Sequence, residues 1–275
     1  MKKFISLAMC LVLLVTCFSI GASAATLRKL DLAFVIDTTG SMSGDIYEVQ
    51  ENMKNYLEDL NASGMDYRIA LIDYRDFSDR AASCDYPYKV QLDFSNDYDE
   101  ILTAINGLTL GGGGDTEETI YSALIDGLDE LSWRKEAGKA AIVMGDAPAL
   151  DPEPYTNYTR DMVIEKMKTG KIAGESGYSR ATTVYASGTS RTPVTLFTIA
   201  TTSYEETVEC FEALATETGG KSYTVENSDE ITDAITEIIE EIPEEVEDGE
   251  KTGFFAKIGN FFKKLIYIIT FQWLF

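Results

Sequence analysis

Three short segments carry side chains whose types and spacing could bind a metal ion. The first is Asp37-Thr38-Thr39-Gly40-Ser41, in which one carboxylate (Asp37) and two hydroxyls (Thr39 and Ser41) occupy alternating positions. Carboxylate and hydroxyl oxygens are hard ligands that suit a small divalent cation in near-octahedral geometry. Loops of this composition also cap helices routinely, so this segment taken alone supports both interpretations.

Two further segments favour the metal interpretation. A run of four glycines, 111–114, leads into Asp115 and Thr116 and allows the backbone to bend sharply and expose those two side chains. Asp146 follows Gly145 directly after an apolar run. Three acidic loop tips at one site would repel one another, and a bound cation relieves that repulsion. The candidate metal ligands are therefore Asp37, Thr39, Ser41, Asp115 and Asp146, with Thr116 as the alternative to Asp115.

The composition narrows the chemistry of this site. The 275 residues include no histidine, which excludes histidine-based triads and histidine-ligated zinc. We expect one divalent cation held by oxygen atoms, with magnesium first and calcium or manganese as alternatives. The formal net charge of −23 disfavours nucleic acid as a partner. The glycine run lacks the Gly-Lys-Ser/Thr ending of a phosphate loop and the dinucleotide spacing, so we expect no nucleotide.

The elements that must position these residues alternate between strand and helix patterns. The predicted strands cover residues 30–36, 67–74, 89–94, 140–144, 194–200 and 221–225. The predicted helices cover residues 43–60, 99–108, 117–131, 160–167, 205–218 and 228–242, with Ser43 and Ser228 as caps. This alternation predicts an α/β fold with a doubly wound, mostly parallel sheet and helices on both faces. Ligand sites in such sheets lie at the carboxyl ends of strands, where the candidate residues fall.

The alternation fills residues 28–243 without a linker, which predicts one domain. Residues 148–192 are long for a single connection, and we interpret them as an insertion on the ligand-binding rim of the sheet. Asp73 and Asp76 lie near the end of the second strand. They fit either groups beside the metal site or solvated loop acids paired with a neighbouring arginine, and we favour the solvated acids.

The motif FVIDTTGSM resembles the first loop of the metal-ion-dependent adhesion site in von Willebrand factor A (VWA) domains. In that family an Asp-x-Ser/Thr-x-Ser loop supplies three metal-contacting side chains, which match Asp37, Thr39 and Ser41. The segments LIDYRDF and LATETGGKSY are also similar to VWA segments, so the resemblance spans nearly all of residues 28–243. It implies a VWA fold, one divalent cation and a binding module without catalytic activity.

The second and third loops of the family are matched with departures. The glycine run resembles a bacterial GGGD-x-x-E variant, so Asp115 takes the place where the family normally has a threonine, with Thr116 as the fallback. Asp146 matches the third-loop aspartate although both its neighbours differ from the family's Thr-Asp-Gly. The resemblance implies that a partner's carboxylate completes the metal shell. Three protein carboxylates would weaken that attraction, so a neutral or basic partner, or a purely structural metal, remains an alternative.

Both ends of the chain predict export and contact with a membrane. A basic start, an apolar run and the cleavage pattern Ala-Ser-Ala predict a signal peptide over residues 1–24, with an uncleaved anchor as the alternative. Residues 244–252 are interpreted as an acidic linker and 253–275 as an apolar helix. Only 11 uncharged residues follow Lys264, so we favour a helix that contacts the membrane surface through residues 254–275 over a membrane span. Packing on the domain or on a partner is the alternative.

These patterns together predict an exported, extracellular or cell-surface module that is associated with a membrane and binds a protein partner through its cation. The alternatives are a regulatory or scaffold subunit of a membrane complex with a structural metal and, more remotely, a metal-dependent hydrolase. Removal of the signal peptide would leave Cys84 and Cys210, which either pair outside the cytosol or remain free thiols.

Overall fold

A six-stranded sheet with helices on both faces makes up the computed structural model, which describes residues 29–63, 66–77, 85–113, 116–170 and 193–241. The strands are β1 (Lys29–Asp37), β2 (Asp66–Tyr74), β3 (Tyr88–Ser95), β4 (Gly138–Gly145), β5 (Thr195–Ala200) and β6 (Ser222–Thr224). The helices are α1 (Ser43–Ser63), α2 (Tyr98–Asn106), α3 (Ile120–Ser122), α4 (Arg160–Thr169), α5 (Glu205–Glu217) and α6 (Ile231–Glu241). Short 3₁₀ turns, Gly40–Met42 and Ser228–Glu230, lead into α1 and α6.

The strand order is β3-β2-β1-β4-β5-β6. All neighbouring strands are parallel except β2 and β3, which pair antiparallel at one edge of the sheet. The predicted doubly wound, mostly parallel α/β fold is therefore confirmed. Ile36 of β1 pairs with Met144 of β4, so the loops that follow these two strands leave the sheet side by side. This register brings the first and third candidate loops to the same edge.

The central strands bury both of their faces, which explains why they read as nearly continuous apolar runs. One core lies between the sheet and helices α1, α2 and α6, and the other lies between the sheet and helices α3, α4 and α5. Along β1 the larger side chains alternate with smaller ones between these two cores. The first core receives Leu30, Leu32, Phe34 and Ile36, and the second receives Ala33 and Val35.

The helix predicted over residues 117–131 begins later and is irregular. Helix α3 continues directly into a π-helical turn, Ala123–Gly127, and then a 3₁₀ turn, Leu128–Glu130. Within the π turn the carbonyl of Ile125 accepts a 2.6 Å hydrogen bond from Nζ of the buried Lys166, which also pairs with Asp129 at 2.6 Å. The lysine thus satisfies a carbonyl in a stretch where the regular helical ladder is interrupted.

The described part of the predicted insertion packs against the start of this helix. Glu118 donates its amide to the carbonyl of Pro148 at 2.9 Å and accepts from the amide of Leu150 at 3.0 Å. The fully buried Glu153 accepts hydrogen bonds from the amide of Ser122 at 2.8 Å and from its hydroxyl at 2.5 Å. These bonds hold residues 148–153 against the helix start, at the edge of the sheet that carries the candidate loops.

At the amino ends of the parallel strands, opposite the candidate loops, lies a second group of buried charged side chains. Asp31 is fully buried and pairs with Arg68 at 2.7 Å and with Arg134 at 2.9 Å. Arg134 also contacts Asp66 at 2.5 Å and the carbonyl of Leu30 at 3.0 Å. This cluster binds β1 to β2 and to the segment before β4, far along β1 from the candidate site.

The two predicted helix caps are wrong. Ser43 is the first residue of α1, and the 3₁₀ turn before it starts after Thr39. Ser228 lies inside the 3₁₀ turn before α6, and its hydroxyl donates to Asp45 at 2.7 Å. The hydroxyl that was expected to cap a helix therefore connects that turn to α1.

Several predictions concern residues outside the described ones. They are the signal peptide over 1–24, the linker over 244–252, the apolar helix over 253–275, and Cys84 and Asp115. Cys210 is half-buried on α5, and neither of the two alternatives for it, a disulfide with Cys84 or a free thiol, is decided by the described residues. Within the described ranges, no helix combines the length and apolarity that crossing a bilayer requires.

Candidate metal and ligand site

The first and third candidate loops meet at the carboxyl edge of the sheet. Asp37 is the last residue of β1, and the turn that follows carries Thr39 and Ser41. Asp146 comes directly after β4, which lies beside β1. Thr39, Ser41 and Asp146 line one open cavity of about 470 Å³, and Thr116 lines it as well. The structure therefore brings these predicted residues to one place.

The carboxylate of Asp37 is fully buried, but only one of its two oxygen atoms accepts hydrogen bonds. Its Oδ1 accepts hydrogen bonds from the backbone amide of Thr39 at 2.8 Å and from the Thr39 hydroxyl at 2.7 Å. The hydroxyls of Thr39 and Ser41 lie 3.3 Å apart. Oδ2 of Asp37 is buried and has no hydrogen-bond partner among the described residues. A buried polar atom without a hydrogen-bond partner lowers the stability of the folded protein. A cation at this position would supply the missing interaction.

The environment of Asp37 destabilises its ionised form. Burial raises the pKa of this carboxyl group from 3.8 to about 7. Hydrogen bonds from Thr39 and the positive charge of Arg75 oppose the rise, whereas the negative charge of Asp146 adds to it. A bound cation would favour the ionised form. The donors that meet here, two carboxylates and two hydroxyls, suit a hard divalent cation such as Mg²⁺.

The second loop is described only in part. Asp115 lies outside the described residues, whereas Thr116 is exposed and lines the cavity. Within the described ranges, no three acidic, cysteine or histidine side chains come close enough together to hold a metal ion. The described donors are therefore a mixed set of carboxylates and hydroxyls, to which the second loop would add Asp115 or Thr116.

Beneath the first loop lies a polar network that the sequence did not reveal. Asp73 and Asp76 are buried, so the prediction that they are solvated loop acids is wrong. Asp73 accepts hydrogen bonds from the hydroxyl of Thr38 at 3.0 Å, from the hydroxyl of Tyr86, and from Nε2 of Gln91 at 2.9 Å. The start of β3 covers this end of β2 and excludes water. One feature of the sequence did indicate that Asp73 is buried: it directly continues an apolar strand, and such strands are buried on both faces.

Arg75 is the second component of this network that sequence reasoning missed. Its Nε donates to the Thr38 hydroxyl at 3.0 Å, and its Nη2 donates to the carbonyl of Thr109 at 2.5 Å. The guanidinium lies over the ring of Tyr86, 4.7 Å from its centroid. The backbone carbonyl of Arg75 accepts two hydrogen bonds from Thr119, each 2.9 Å long. Arg75 thus contacts the first loop, the carbonyl of Thr109 ahead of the glycine run, and Tyr86 just before β3 from one buried position.

Exposed apolar side chains occur on loops near the cavity, and one of them lines it. Of the four large apolar residues that are exposed among those described, three lie on loops at this edge, namely Leu110, Tyr155 and Tyr204. Tyr204 lines the cavity itself, and the ring of Tyr155 packs edge-on against Phe77 with 5.0 Å between centroids. Exposed tyrosines around a concave polar site are typical of surfaces that bind proteins.

Comparison with known proteins identifies the family. A family model described as the von Willebrand factor A domain matches residues 31–227. The chain belongs to this family. The VWA match includes Asp37, Thr39, Ser41 and Asp146, of which the last three line the cavity and Asp37 is buried against Thr39. VWA domains are generally protein-binding modules.

Two curated relatives contain segments similar to this VWA domain. The alpha-protein kinase vwkA of Dictyostelium discoideum is 29% identical over 134 residues, which cover 46% of this chain and 20% of the kinase. A protein of Acanthamoeba polyphaga mimivirus described as an ariadne-like RING finger protein is 25% identical over 201 residues, which cover 73% of this chain and 19% of that protein. The VWA chain matches about a fifth of the length of each relative.

Proposed function

We propose that this VWA domain holds one divalent cation at the carboxyl edge of its sheet and binds a protein partner there. The side chains that would hold the cation are those of Asp37, Thr39, Ser41 and Asp146, together with Asp115 or Thr116 from the second loop. The observation that carries the proposal is the buried, unpartnered Oδ2 of Asp37. We propose Mg²⁺ first, because hydroxyl and carboxylate oxygens suit it, with Ca²⁺ or Mn²⁺ as alternatives.

The surroundings of the cavity support a protein as the ligand. The cavity is open, and the exposed rings of Tyr204 and Tyr155 lie at the same edge of the sheet, where they offer contact area at little entropic cost. A carboxylate from the partner would complete the shell of the cation. Because Glu118 and Glu206 also line the cavity, a neutral or basic partner group is the alternative. The role we propose is binding, without a catalytic step.

Calorimetric titration of the full chain with Mg²⁺, Ca²⁺ and Mn²⁺ tests the cation. We expect one ion per chain in the wild type and no measurable binding in Asp37→Ala. The matched control is Asp161→Ala, which removes an exposed acid on α4 and should bind the ion as the wild type does. Absence of binding in the wild type, or equal binding in Asp37→Ala, would refute the cation proposal.

A second experiment tests the partner. The wild type and Asp37→Ala are each used to capture proteins from a native extract, once with Mg²⁺ and once with a chelator. We expect a protein retained only by the wild type with Mg²⁺. A protein that all four conditions retain equally would argue against capture through the cation.

We also propose that the chain is exported and held at a membrane surface by residues 254–275. The support is the sequence pattern of the two ends, a signal-like start and a lysine-flanked apolar stripe. Liposome flotation of the chain with and without residues 254–275 tests the tail. We expect only the longer form to float, and equal behaviour of both forms would contradict the proposal.

A further inference from the structure

Arg75 lies where the first and second loops approach each other. Its guanidinium bonds the hydroxyl of Thr38, which stands between the proposed ligands Asp37 and Thr39. The same guanidinium bonds the carbonyl of Thr109, just before the glycine run. The planar fork of arginine can serve two acceptors in different directions at once. A single side chain therefore connects the two loops that would supply ligands to the cation.

The glycine run packs directly on this arginine. The amide of Gly111 donates to the carbonyl of Thr38 at 3.0 Å, so the two loops also share a backbone hydrogen bond. A Cβ atom at Gly111 would lie only 2.8 Å from Nη1 of Arg75. A Cβ atom at Gly112, which has a φ of +76°, would collide with the carboxylate of Asp85. The glycines therefore permit a close approach of the second loop to buried charged groups, in addition to a sharp bend.

Further contacts fix Arg75 itself. Its guanidinium lies against the ring of Tyr86, and the hydroxyl of that tyrosine bonds Asp73. Asp73 in turn accepts from the Thr38 hydroxyl at 3.0 Å, so Thr38 donates to one buried partner and accepts from another. A hydroxyl held from both sides cannot rotate freely. The backbone between Asp37 and Thr39 is thereby held in one position.

We infer that Arg75 is a positioning residue that clamps the first loop to the glycine loop and so presets the spacing of the proposed cation ligands. The consequence for metal binding rests on the proposed function, whereas the clamp itself consists of contacts between protein groups and is tested in chelator. Groups that orient metal ligands without touching the ion commonly contribute about 10- to 100-fold to metal affinity. Lysine in this position keeps the charge but loses the fork and the stacking on Tyr86.

The test compares Arg75→Lys with Arg134→Lys in the full chain. Arg134 is the matched control because its guanidinium, like that of Arg75, bonds side chains and a backbone carbonyl, but its partners Asp31, Asp66 and Leu30 lie at the amino ends of the parallel strands. Three quantities are measured: Mg²⁺ affinity by calorimetry, the urea midpoint in chelator, and hydrogen exchange of the Gly111 amide in chelator. We expect Arg75→Lys to weaken Mg²⁺ binding about tenfold or more and to speed exchange at Gly111 about tenfold. Arg134→Lys should leave the Mg²⁺ affinity and the exchange rate at Gly111 within about twofold of the wild type, because distant sites act independently.

Gly111→Ala provides a second variant that keeps the arginine. The backbone at this glycine does not have a positive φ, so alanine is acceptable there and its methyl group displaces only the guanidinium. We expect the same loss of Mg²⁺ affinity as in Arg75→Lys and no further loss in the double variant. Should the Arg75→Lys chain fail to fold, Gly111→Ala decides the question by its own Mg²⁺ affinity and exchange.

The outcomes separate this inference from the proposed function. Unchanged exchange of the amide at position 111 in both variants, after allowance for the different intrinsic rates of glycine and alanine, would overturn the clamp, whether or not metal binds. Wild-type Mg²⁺ binding that both variants retain would overturn the positioning role alone. A wild type that binds no Mg²⁺ would overturn the proposed cation and, with it, the role of Arg75 in presetting the ligands. An equal loss of affinity in Arg134→Lys would show that general destabilisation is responsible.

Discussion

Replacement of Asp37 by asparagine should stabilise the metal-free protein while abolishing its response to metal. The carboxylate is fully buried, one oxygen has no partner, and burial raises its pKa to about 7. Above neutral pH, where this carboxyl group is ionised in the folded state, its burial therefore lowers the free energy of unfolding. Asparagine keeps an oxygen that can accept both hydrogen bonds from Thr39 and removes the charge.

The size of the effect follows from the pKa of Asp37. A pKa of about 7 in place of 3.8 corresponds to an ionisation cost of about 4 kcal/mol at pH 8, at about 1.4 kcal/mol per tenfold change in proton affinity. The buried amide hydrogens of asparagine would lack acceptors, which costs about 1–3 kcal/mol. We therefore expect Asp37→Asn to be more stable than the wild type by about 1–3 kcal/mol at pH 8 in chelator.

The sign of the pH dependence is specific. Because the folded pKa lies above the unfolded value, the folded state binds a proton between pH 7 and pH 3.8 that the unfolded state has lost. The contribution of Asp37 to wild-type stability thus rises as the pH falls from 7 towards 3.8, and the advantage of the variant shrinks over the same interval.

Urea unfolding followed by circular dichroism, in chelator and in saturating Mg²⁺, measures this effect. We expect the variant to be more stable in chelator at pH 8, and we expect Mg²⁺ to stabilise only the wild type. An asparagine variant that is less stable than the wild type in chelator at pH 8, with a difference independent of pH, would refute the argument that the buried charge is unfavourable.

Three other substitutions test separate parts of the structure. Thr39→Val removes a hydroxyl that contacts Asp37 and should weaken Mg²⁺ binding at least about tenfold in calorimetry, whereas wild-type affinity would exclude Thr39 from the site. Gly145→Ala places a methyl group against the hydroxyl of Tyr74 and should cost about 1–3 kcal/mol in urea unfolding, and an unchanged midpoint would contradict the tight packing. Lys166→Met leaves a carbonyl of the π turn unsatisfied and should cost about 1–3 kcal/mol in thermal unfolding, and a more stable variant would count against that role.

Most of the fold follows from periodicity in the sequence. The runs around Phe34 and Ile142 are apolar without interruption, which is typical of parallel strands covered on both faces. In the structure both runs are buried in this way. Periodicity does not encode partners across the sheet. The antiparallel pairing of β3 depends on its contacts with β2. The π turn after α3 depends on the bond between Lys166 and Ile125, which are distant in the chain.

The candidate site was predictable where its residues follow strands directly. Asp37 and Asp146 end adjacent parallel strands, so their proximity follows from topology. The support beneath them was not predictable in the same way. Asp73 and Arg75 stand beside further charged residues, which indicated a solvated turn, whereas in the structure Gln91 of β3 bonds Asp73, and Tyr86 and Gly111 pack against Arg75. Burial of charged groups depends on tertiary packing, which a local pattern does not contain.

The most direct test of the central claim is an anomalous difference map from a crystal of the full chain grown with Mn²⁺. Manganese takes the same oxygen ligands as magnesium and scatters anomalously, so the map locates the ion without reference to activity. We predict one peak in the cavity, within bonding distance of Ser41 and Asp146 and close to Oδ2 of Asp37. A map without a peak there, or with its only peak at another surface, would contradict the proposed metal site.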